Sequence, residues 1–332
     1  MAHTQTQADE DESDEFDSRL TGLDLSESVG AVDVAESPPH AVEEPRASLL
    51  EQLREIVVEE LWTYRELTIQ LALRDIRIRY KQAAMGFAWA ILMPALVVAA
   101  GALVRYAMAY LSGGDVETSA IAGMAIKALP WAFFVGAIGF GTNSLTGNLA
   151  LVTKIYFPRE VLPLSATLAQ VFDSTLGALA VAVIVPFLGV SYGWTALWTL
   201  PLVLILFMFT LGTALLLGCA NLFFRDVKYI VQVLLRFGIF FTPVFFEPEM
   251  FGAMGAKVMM LNPLSPILEG LRLAIVEHHD LLDPLVVRGA DGGAILAWTP
   301  WYLAYGVIAA VVLLLGGVLI FHRFERTFAE YA

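Results

Sequence analysis

Six long apolar stretches constrain what this 332-residue chain can fold into. Each stretch is close to or longer than the roughly 20 residues that a helix needs to cross the ~30 Å hydrocarbon core of a membrane. A backbone in lipid must satisfy its own hydrogen bonds, so helices are the expected form. The sequence therefore predicts an all-α membrane protein with six transmembrane helices. The predicted spans are residues 86–106, 118–145, 161–188, 197–224, 227–246 and 302–321.

Charge is distributed unevenly along the chain. Residues 1–60 hold 17 acidic and 3 basic side chains, whereas the remaining 272 residues hold 16 acidic and 17 basic ones. The first residues also contain few large apolar groups, and such a segment buries too little surface to offset its ordering entropy. We predict three regions: an acidic disordered cytoplasmic tail (1–46), cytoplasmic or interfacial amphipathic helices (47–84) and a six-span transmembrane domain (85–332).

The basic residues between the predicted spans lie mostly on one side of the membrane. From Arg65 onwards, the connections on the side of the N-terminus carry eleven Lys and Arg residues. Those on the opposite side carry three: Lys257, Arg272 and Arg288. Positive charge marks the cytoplasmic side of a membrane protein. With an even number of spans, both termini are expected in the cytoplasm.

The segment "RDIRIRYKQ", residues 74–82, places four cations directly before the first predicted span. On a helical wheel the polar stripe is Glu66, Gln70, Arg74, Arg77 and Lys81. The neighbouring apolar stripe is Trp62, Ile69, Leu73, Ile76 and Tyr80. This pattern is typical of an amphipathic helix lying in the membrane interface. A charge cluster that only sets topology would explain the cations but not the apolar stripe, and both interpretations stay open.

The last long connection, residues 247–300, contains "KVMMLNPLSPILEGLRLAIVE", in which Pro263 and Pro266 separate two apolar pieces. Each piece is too short to cross a membrane. Backbone at membrane depth must be covered by protein or line a cavity. The sequence therefore predicts short re-entrant or interfacial helices here.

Ionisable residues inside membrane spans are costly and are candidates for function. Lys127 falls in the second predicted span, Asp173 in the third and Arg236 in the fifth. A structural ion pair between Asp173 and Arg236 is one hypothesis, and contact with a transported substrate is the other.

Patterns for catalysis or nucleotide binding are missing from the sequence. It has no G-x-x-x-x-G-K-[ST] phosphate loop and no G-x-S-x-G nucleophile. His278 and His279 are adjacent, which does not place both on one helix face, so a solvated loop is favoured over a metal site. We predict no catalytic residue, no metal, no cofactor and no nucleic acid partner for this chain.

Four segments carry a resemblance to a known family. They are "YRELTIQLALRDIRIRYKQAAMGFAWAILMPAL" (64–96), "NLALVTKIYFPREVLPLS" (148–165), "ANLFFRDVKYIVQVLLRFGIFFTPVFF" (220–246) and "LNPLSPILEGLR" (261–272). In this order they resemble the permeases of bacterial polysaccharide export, which are type-2 ABC transporters. The resemblance covers about residues 60–332, so the acidic tail inherits no role from it.

The resemblance implies a permease subunit of an ATP-driven exporter. It would move a lipid-linked glycan, such as O-antigen, galactan or teichoic acid, outward across the bacterial inner membrane. Two copies of the chain would form a homodimer with two nucleotide-binding ABC ATPase subunits. ATP and magnesium would bind to those partners.

The resemblance also implies roles for individual residues. The ATPase would dock on Lys154, Tyr156, Phe157, Pro158, Arg159 and Glu160. Cations flanking an inner gate would meet the phosphate of the lipid carrier, and these are Arg74, Arg77, Arg79 and Lys81. Aromatic rings could stack on passing sugars, and the candidates are Trp89, Phe133, Phe134, Phe140 and Phe172.

Three alternatives stay open at this point. The same scaffold could export drugs or small lipids. A membrane-embedded glycosyltransferase would need catalytic acids. An ion-coupled carrier would need an internal repeat and several carboxylates in mid-span, whereas only Asp173 qualifies. The candidate acids for the enzyme are Glu269, Glu277, Asp280 and Asp283.

Overall fold

Helices make up most of the described structure. The computed structural model describes residues 61–81, 88–113, 117–154, 157–288, 293–325 and 327–328. The predicted acidic tail lies outside these residues. After one helical turn at Leu61–Thr63, the helices are α1 Arg65–Tyr80, α2 Ala88–Ser112, α3 Thr118–Thr142, α4 Leu149–Lys154, α5 Val161–Phe187, α6 Thr199–Phe223, α7 Val227–Gly238, α8 Gly252–Met260, α9 Ser265–Ile275 and α10 Pro300–Glu325. Short 3₁₀ turns occupy Thr146–Asn148, Trp194–Trp198 and Pro248–Phe251.

Four of these helices have the length and apolar composition of membrane spans. They are α3, α5, α10 and α6 together with the 3₁₀ turn before it. Each has at least 25 residues, which at about 1.5 Å per residue exceeds the ~30 Å hydrocarbon core. They correspond to the second, third, sixth and fourth predicted spans, and α2 covers most of the first. The chain is therefore a multi-pass membrane protein.

The prediction of one continuous fifth span at residues 227–246 is wrong. α7 has 12 residues, about 18 Å of helix, and turns and bends follow as far as Phe246. Pro243 lacks an amide hydrogen and restricts the residue before it. The Thr242 hydroxyl donates to the Gly238 carbonyl at 3.0 Å, which satisfies one of the exposed carbonyls at the helix end. The apolar run of residues 227–246 is long enough for a span, but the helix ends at Gly238, shortly before Thr242 and Pro243.

Glycines bring the long helices into backbone contact. A Cβ on Gly212 of α6 would lie 2.5 Å from the backbone of Leu313 on α10. A Cβ on Gly317 would lie 2.7 Å from the Gly212 carbonyl oxygen. α3 meets α6 where Gly141 faces Ala214. Small residues at helix interfaces allow this close approach inside membranes, where van der Waals packing drives association.

Buried apolar side chains form two main clusters along the bundle. The larger one joins α3, α6, α9 and the last loop, with Leu202 and Trp298 fully buried. The other surrounds Phe157, Leu162 and Phe321, where α3, α6 and α10 end and α5 begins. We call this second region the connection end of the bundle.

α1 packs against α5 with a face that the helical wheel did not predict. Its buried residues are Thr68, Leu71 and Ala72, and Leu71 belongs to the cluster at the connection end. From the predicted apolar stripe, Trp62 and Ile69 are exposed. The helix itself is as expected, but the residues that it buries belong to neither predicted stripe.

The last long connection contains two short helices and a hairpin. α8 and α9 are separated at residues 261–264, as the prolines predicted, and all but one residue of α9 are buried. Strands β1 (Leu285–Arg288) and β2 (Ala294–Trp298) pair in antiparallel register, with Val286 opposite Leu296. This hairpin corrects the all-α prediction. Its signal was present as two short apolar runs, each with at least one β-branched residue, that flank the glycine-rich sequence GADGG.

Candidate functional site

The end of α1 meets α5 in a group of hydrogen-bonded side chains. Asp173 accepts hydrogen bonds from the Arg79 guanidinium and, at 2.5 Å, from the Tyr80 hydroxyl. Arg79 also donates to the side-chain oxygen of Gln170 at 3.1 Å. Burial and the bond to Asp173 raise the pKa of Tyr80, so its hydroxyl stays protonated and donates. These four residues, with Phe140 and Phe172, form what we call the α1–α5 junction.

Two aromatic rings complete the junction. The Arg79 guanidinium lies 3.7 Å from the ring centroid of Phe140 on α3. The Tyr80 ring meets Phe172 edge-on, with 6.5 Å between centroids. Phe140 is 48% exposed and Phe172 37% exposed. Partly exposed rings held beside a cation offer apolar faces and positive charge within one small area.

The junction brings together residues that the sequence assigned to separate roles. Arg79 was predicted to be a gate cation, and Asp173 was predicted to be an intramembrane charge. Phe140 and Phe172 were predicted to line the channel. The hypothesis of an Asp173–Arg236 pair is wrong, because Asp173 pairs with Arg79. Arg236 is exposed on α7. Charge complementarity between two predicted spans suggested the pair, but a cation from α1 binds Asp173 instead.

The other predicted gate cations are not among the residues of the junction. Arg74 donates to the neighbouring Asp75 at 2.8 Å and to the side-chain oxygen of Asn148 at 3.0 Å. Arg77 and Lys81 are exposed. Two of the four cations therefore hold α1 in place, and two face outward.

The remaining predicted channel aromatics are dispersed. Trp89 is exposed on α2. Phe134 packs between Trp131 and Phe209, with 5.9 Å between ring centroids in both pairs. Phe133 is buried and lines an apolar cavity of about 640 Å³ between α3, α5 and α6. In one copy of the chain, Phe133 and Phe134 belong to the core.

The connection from α4 to α5 is attached to the end of α10. The main-chain N–H of Arg159 donates to the Glu325 carboxylate at 2.9 Å. Its guanidinium donates to the main-chain carbonyls of Glu325 and, at 3.2 Å, of Val152. Phe157 and Pro158 are buried. Because these contacts join α4, α5 and α10, a force on the connection reaches two predicted spans.

The six residues predicted to dock an ATPase differ in accessibility. Lys154, at the end of α4, is exposed. Arg159 is half-buried and Glu160 is buried, as are the two residues before them. Tyr156 lies outside the described residues. Within the described part of the connection, Lys154 is therefore the side chain best placed to contact another protein.

A buried charge cluster holds the last loop against α2 and α3. Lys127 is fully buried, and its ammonium donates to the Phe246 carbonyl at 2.8 Å and lies 3.5 Å from the Glu269 carboxylate. Arg105 pairs with Glu247. The cluster comprises Arg105, Lys127, Glu247, Glu249, Glu269, Arg272 and Glu277.

Arg272 is the centre of this cluster. It donates to Glu269 at 2.6 Å, to Glu277 at 3.1 Å and to Glu249 at 3.3 Å. Burial alone would raise the pKa of Glu269, but Arg272 and Lys127 outweigh it, and the pKa is lowered. Burial, reinforced by Glu269, raises the pKa of Glu249. The cluster combines three cations with four carboxylates, and this pairing offsets part of the cost of burying the charges.

Three of the four acids considered for a glycosyltransferase have structural partners. Glu269 and Glu277 bind Arg272. Asp280 accepts from the Trp198 indole at 3.2 Å and from the Leu282 amide at 3.1 Å. Of the residues in the cluster, Lys127 was predicted from the sequence to be an intramembrane charge. For Glu269 and Arg272, the sequence feature that could have indicated the cluster is their spacing of three residues inside an apolar helix.

Comparison with known proteins gives a consistent set of matches. The model of a family described as ABC-2 type transporter matches residues 66–276. An O-antigen export system permease protein RfbA from Myxococcus xanthus is 30% identical over 249 residues, covering 73% of this chain and 92% of that protein. Two proteins of the same name from Klebsiella pneumoniae are 23% and 24% identical, each covering 80% of this chain and 94% of the relative. The family match includes the α1–α5 junction and the α4–α5 connection.

Proposed function

Because the chain belongs to the ABC-2 type transporter family, we propose that it is the permease subunit of an ATP-driven exporter of a lipid-linked polysaccharide. The observation that carries this proposal is the match to O-antigen export permeases over at least 92% of their length. A match of that extent supports a shared role for the whole transmembrane domain, and it favours a polysaccharide over drugs or small lipids as cargo.

The energy would come from a separate subunit. Two copies of this chain would assemble with two ABC ATPase subunits, which bind ATP and magnesium. The assembly would lie in a bacterial inner membrane with both chain termini in the cytoplasm, as the positive-inside pattern favours.

The α1–α5 junction is the proposed entrance for the substrate. The exposed Arg77 and Lys81 would attract the phosphate groups of the lipid carrier, since charge-assisted hydrogen bonds to phosphate are strong. Arg79 is held by Asp173 and would position α1. The exposed faces of Phe140 and Phe172 would contact sugar rings. Several weak contacts of this kind suit transport, because a passing chain must leave each of them.

The α4–α5 connection is the proposed contact for the ATPase. Closure of the ATPase pair would push on α4, and the Arg159 contacts would transmit the movement to α5 and α10. On the opposite side, α8 and α9 would be the re-entrant helices of the last loop, held by the buried charge cluster against α3.

Deletion of the gene that encodes this chain in its native cell is expected to stop the surface display of one long-chain glycan. The same glycan should accumulate in the cytoplasm on its lipid carrier, because synthesis continues without export. Extraction of lipid-linked glycans from spheroplasts, together with surface staining, measures both changes. A plasmid copy of the wild-type chain should restore display. Unchanged surface glycan in the deletion strain would contradict the proposed function.

Replacement of Lys154 with glutamate tests the ATPase contact. Charge reversal at an exposed interface residue should lower export by about tenfold, equivalent to roughly 1.4 kcal/mol of coupling. The side chain is exposed, so the amount of folded protein should stay normal. Export per membrane-inserted protomer and ATPase activity of the complex are the measurements.

Lys257→Glu is the matched control for this test. Lys257 is also exposed near a helix end, but it lies on α8 in the last loop. It should export normally. Equal export by Lys154→Glu and wild type would exclude Lys154 from the contact, and equal losses in both variants would show that the effect does not depend on location.

A further inference from the structure

The connection end contains a buried carboxylate that its surroundings do not satisfy. The Glu160 side chain is 3% exposed. Among the described residues, neither of its oxygens has a hydrogen-bond partner. An ionised carboxylate in such a place is costly unless a cation compensates it. Something with positive charge is therefore expected at this position.

Two further ligand groups converge on Glu160 from the last turn of α10. The Nδ1 atom of His322 lies 3.6 Å from a Glu160 oxygen and 3.8 Å from a Glu325 oxygen. One ligand atom from each of the three residues can be chosen so that all lie within 4.8 Å of one another. His322 and Glu325 share a helix face because they are three residues apart.

The two separations that involve His322 are close to those around a tetrahedral metal ion, and the two carboxylates lie within 4.8 Å of each other. Zinc bonds of about 2.0–2.2 Å to nitrogen and oxygen place neighbouring ligand atoms roughly 3.3–3.5 Å apart. The two observed separations exceed that by a few tenths of an ångström, which side-chain adjustment can close. The Arg159 guanidinium donates to main-chain carbonyls. Its main-chain N–H binds one oxygen of Glu325, which leaves the other oxygen of Glu325 and both oxygens of Glu160 available to the ion.

We propose that Glu160, His322 and Glu325 bind one zinc ion, which ties the α4–α5 connection to the end of α10. One imidazole with two carboxylates is a donor set that zinc accepts, whereas calcium and magnesium prefer oxygen ligands alone. A divalent ion neutralises both carboxylates, which one imidazolium does not. The His322 side chain is 41% exposed, so solvent can supply a water molecule as the fourth ligand. The site is independent of the cargo proposed above.

The sequence did not predict this site, because its ligands lie at opposite ends of the transmembrane domain. Glu160 precedes α5, and the other two residues end α10. The fold brings them together at the connection end.

Zinc binding by the full-length protein tests the proposal. The purified protein is stripped of metal with a chelating resin and titrated with zinc chloride in competition with a chromogenic chelator. Wild type should hold one tightly bound zinc ion. Glu160→Gln and His322→Asn should each weaken its binding by at least about tenfold, because loss of a direct ligand should cost no less than loss of an outer-shell partner does. Cobalt added instead of zinc should give the visible absorption of a tetrahedral site in wild type and not in His322→Asn.

His279→Asn and Glu277→Gln are matched controls, since both change the same residue types in the last loop. They should bind zinc as wild type does. The half-exposed His322 keeps the test valid if Glu160→Gln fails to fold. The proposal is overturned if wild type retains no zinc under competition, if His322→Asn binds it equally well, or if the cobalt spectrum is that of an octahedral site.

Discussion

Replacement of Lys127 with methionine is expected to destabilise the protein by about 3–5 kcal/mol, the usual cost of removing one partner from a buried ion pair. The ammonium is fully buried and binds both the Phe246 carbonyl and the Glu269 carboxylate. Methionine fills similar space but donates no hydrogen bond, so both acceptors lose a partner. The free energy of unfolding, measured by denaturant titration in detergent, should fall by this amount.

Two further variants separate the buried charge from the change of side chain. Lys257→Met makes the same replacement at an exposed position and should alter stability by less than about 0.5 kcal/mol. The double variant Lys127→Met with Glu269→Gln removes both charges of this pair, but it also takes the buried Arg272 away from its nearest carboxylate. It should therefore be no more stable than Lys127→Met. Equal stability of Lys127→Met and Lys257→Met would show that the cluster does not hold the fold together.

The long helices could be predicted because their signal is local. An apolar run of span length has few alternatives, and four predicted spans coincide with helices of suitable length and composition. The prediction of the fifth span was wrong, and the reason is equally local. Apolar composition alone extended it to residue 246, whereas the Thr242–Pro243 pair, which was visible in the sequence, follows the end of α7 after one further turn.

Partners distant in sequence could not be predicted in the same way. The wheel of α1 identified its polar and apolar stripes, but the buried face depends on what α5 presents to it. Asp173 was recognised as costly in a span, yet its partner Arg79 lies outside the spans. Lys127 was recognised too, and its partner Glu269 comes from a short helix of the last loop. A buried charge shows that a partner exists, and the fold decides which residue it is.

Substitution of a glycine at the contact between α6 and α10 is also expected to have a large effect on stability. Gly317→Val should destabilise the protein by about 3 kcal/mol or more, at or above the upper end for overpacking. The added Cβ would lie 2.7 Å from the Gly212 carbonyl oxygen and 3.2 Å from its Cα. Both are backbone atoms, so no side chain can move aside and the helices must separate. The yield of folded protein and its resistance to detergent unfolding measure the effect.

The neighbouring Gly316 offers a control on the same helix. A Cβ there would meet no heavy atom within 4 Å, so Gly316→Val makes the same change in helix propensity and hydrophobicity without the clash. It should fold and export normally, and the stability of Gly317→Ala should fall between those of the two valine variants.

Separation of α6 and α10 would also shift the end of α10, where Glu325 binds Arg159. Export by Gly317→Val should therefore fall further than its protein level. If the two valine variants behave alike, α6 and α10 do not cross at Gly212 and Gly317, and the path from the α4–α5 connection into α10 loses its support.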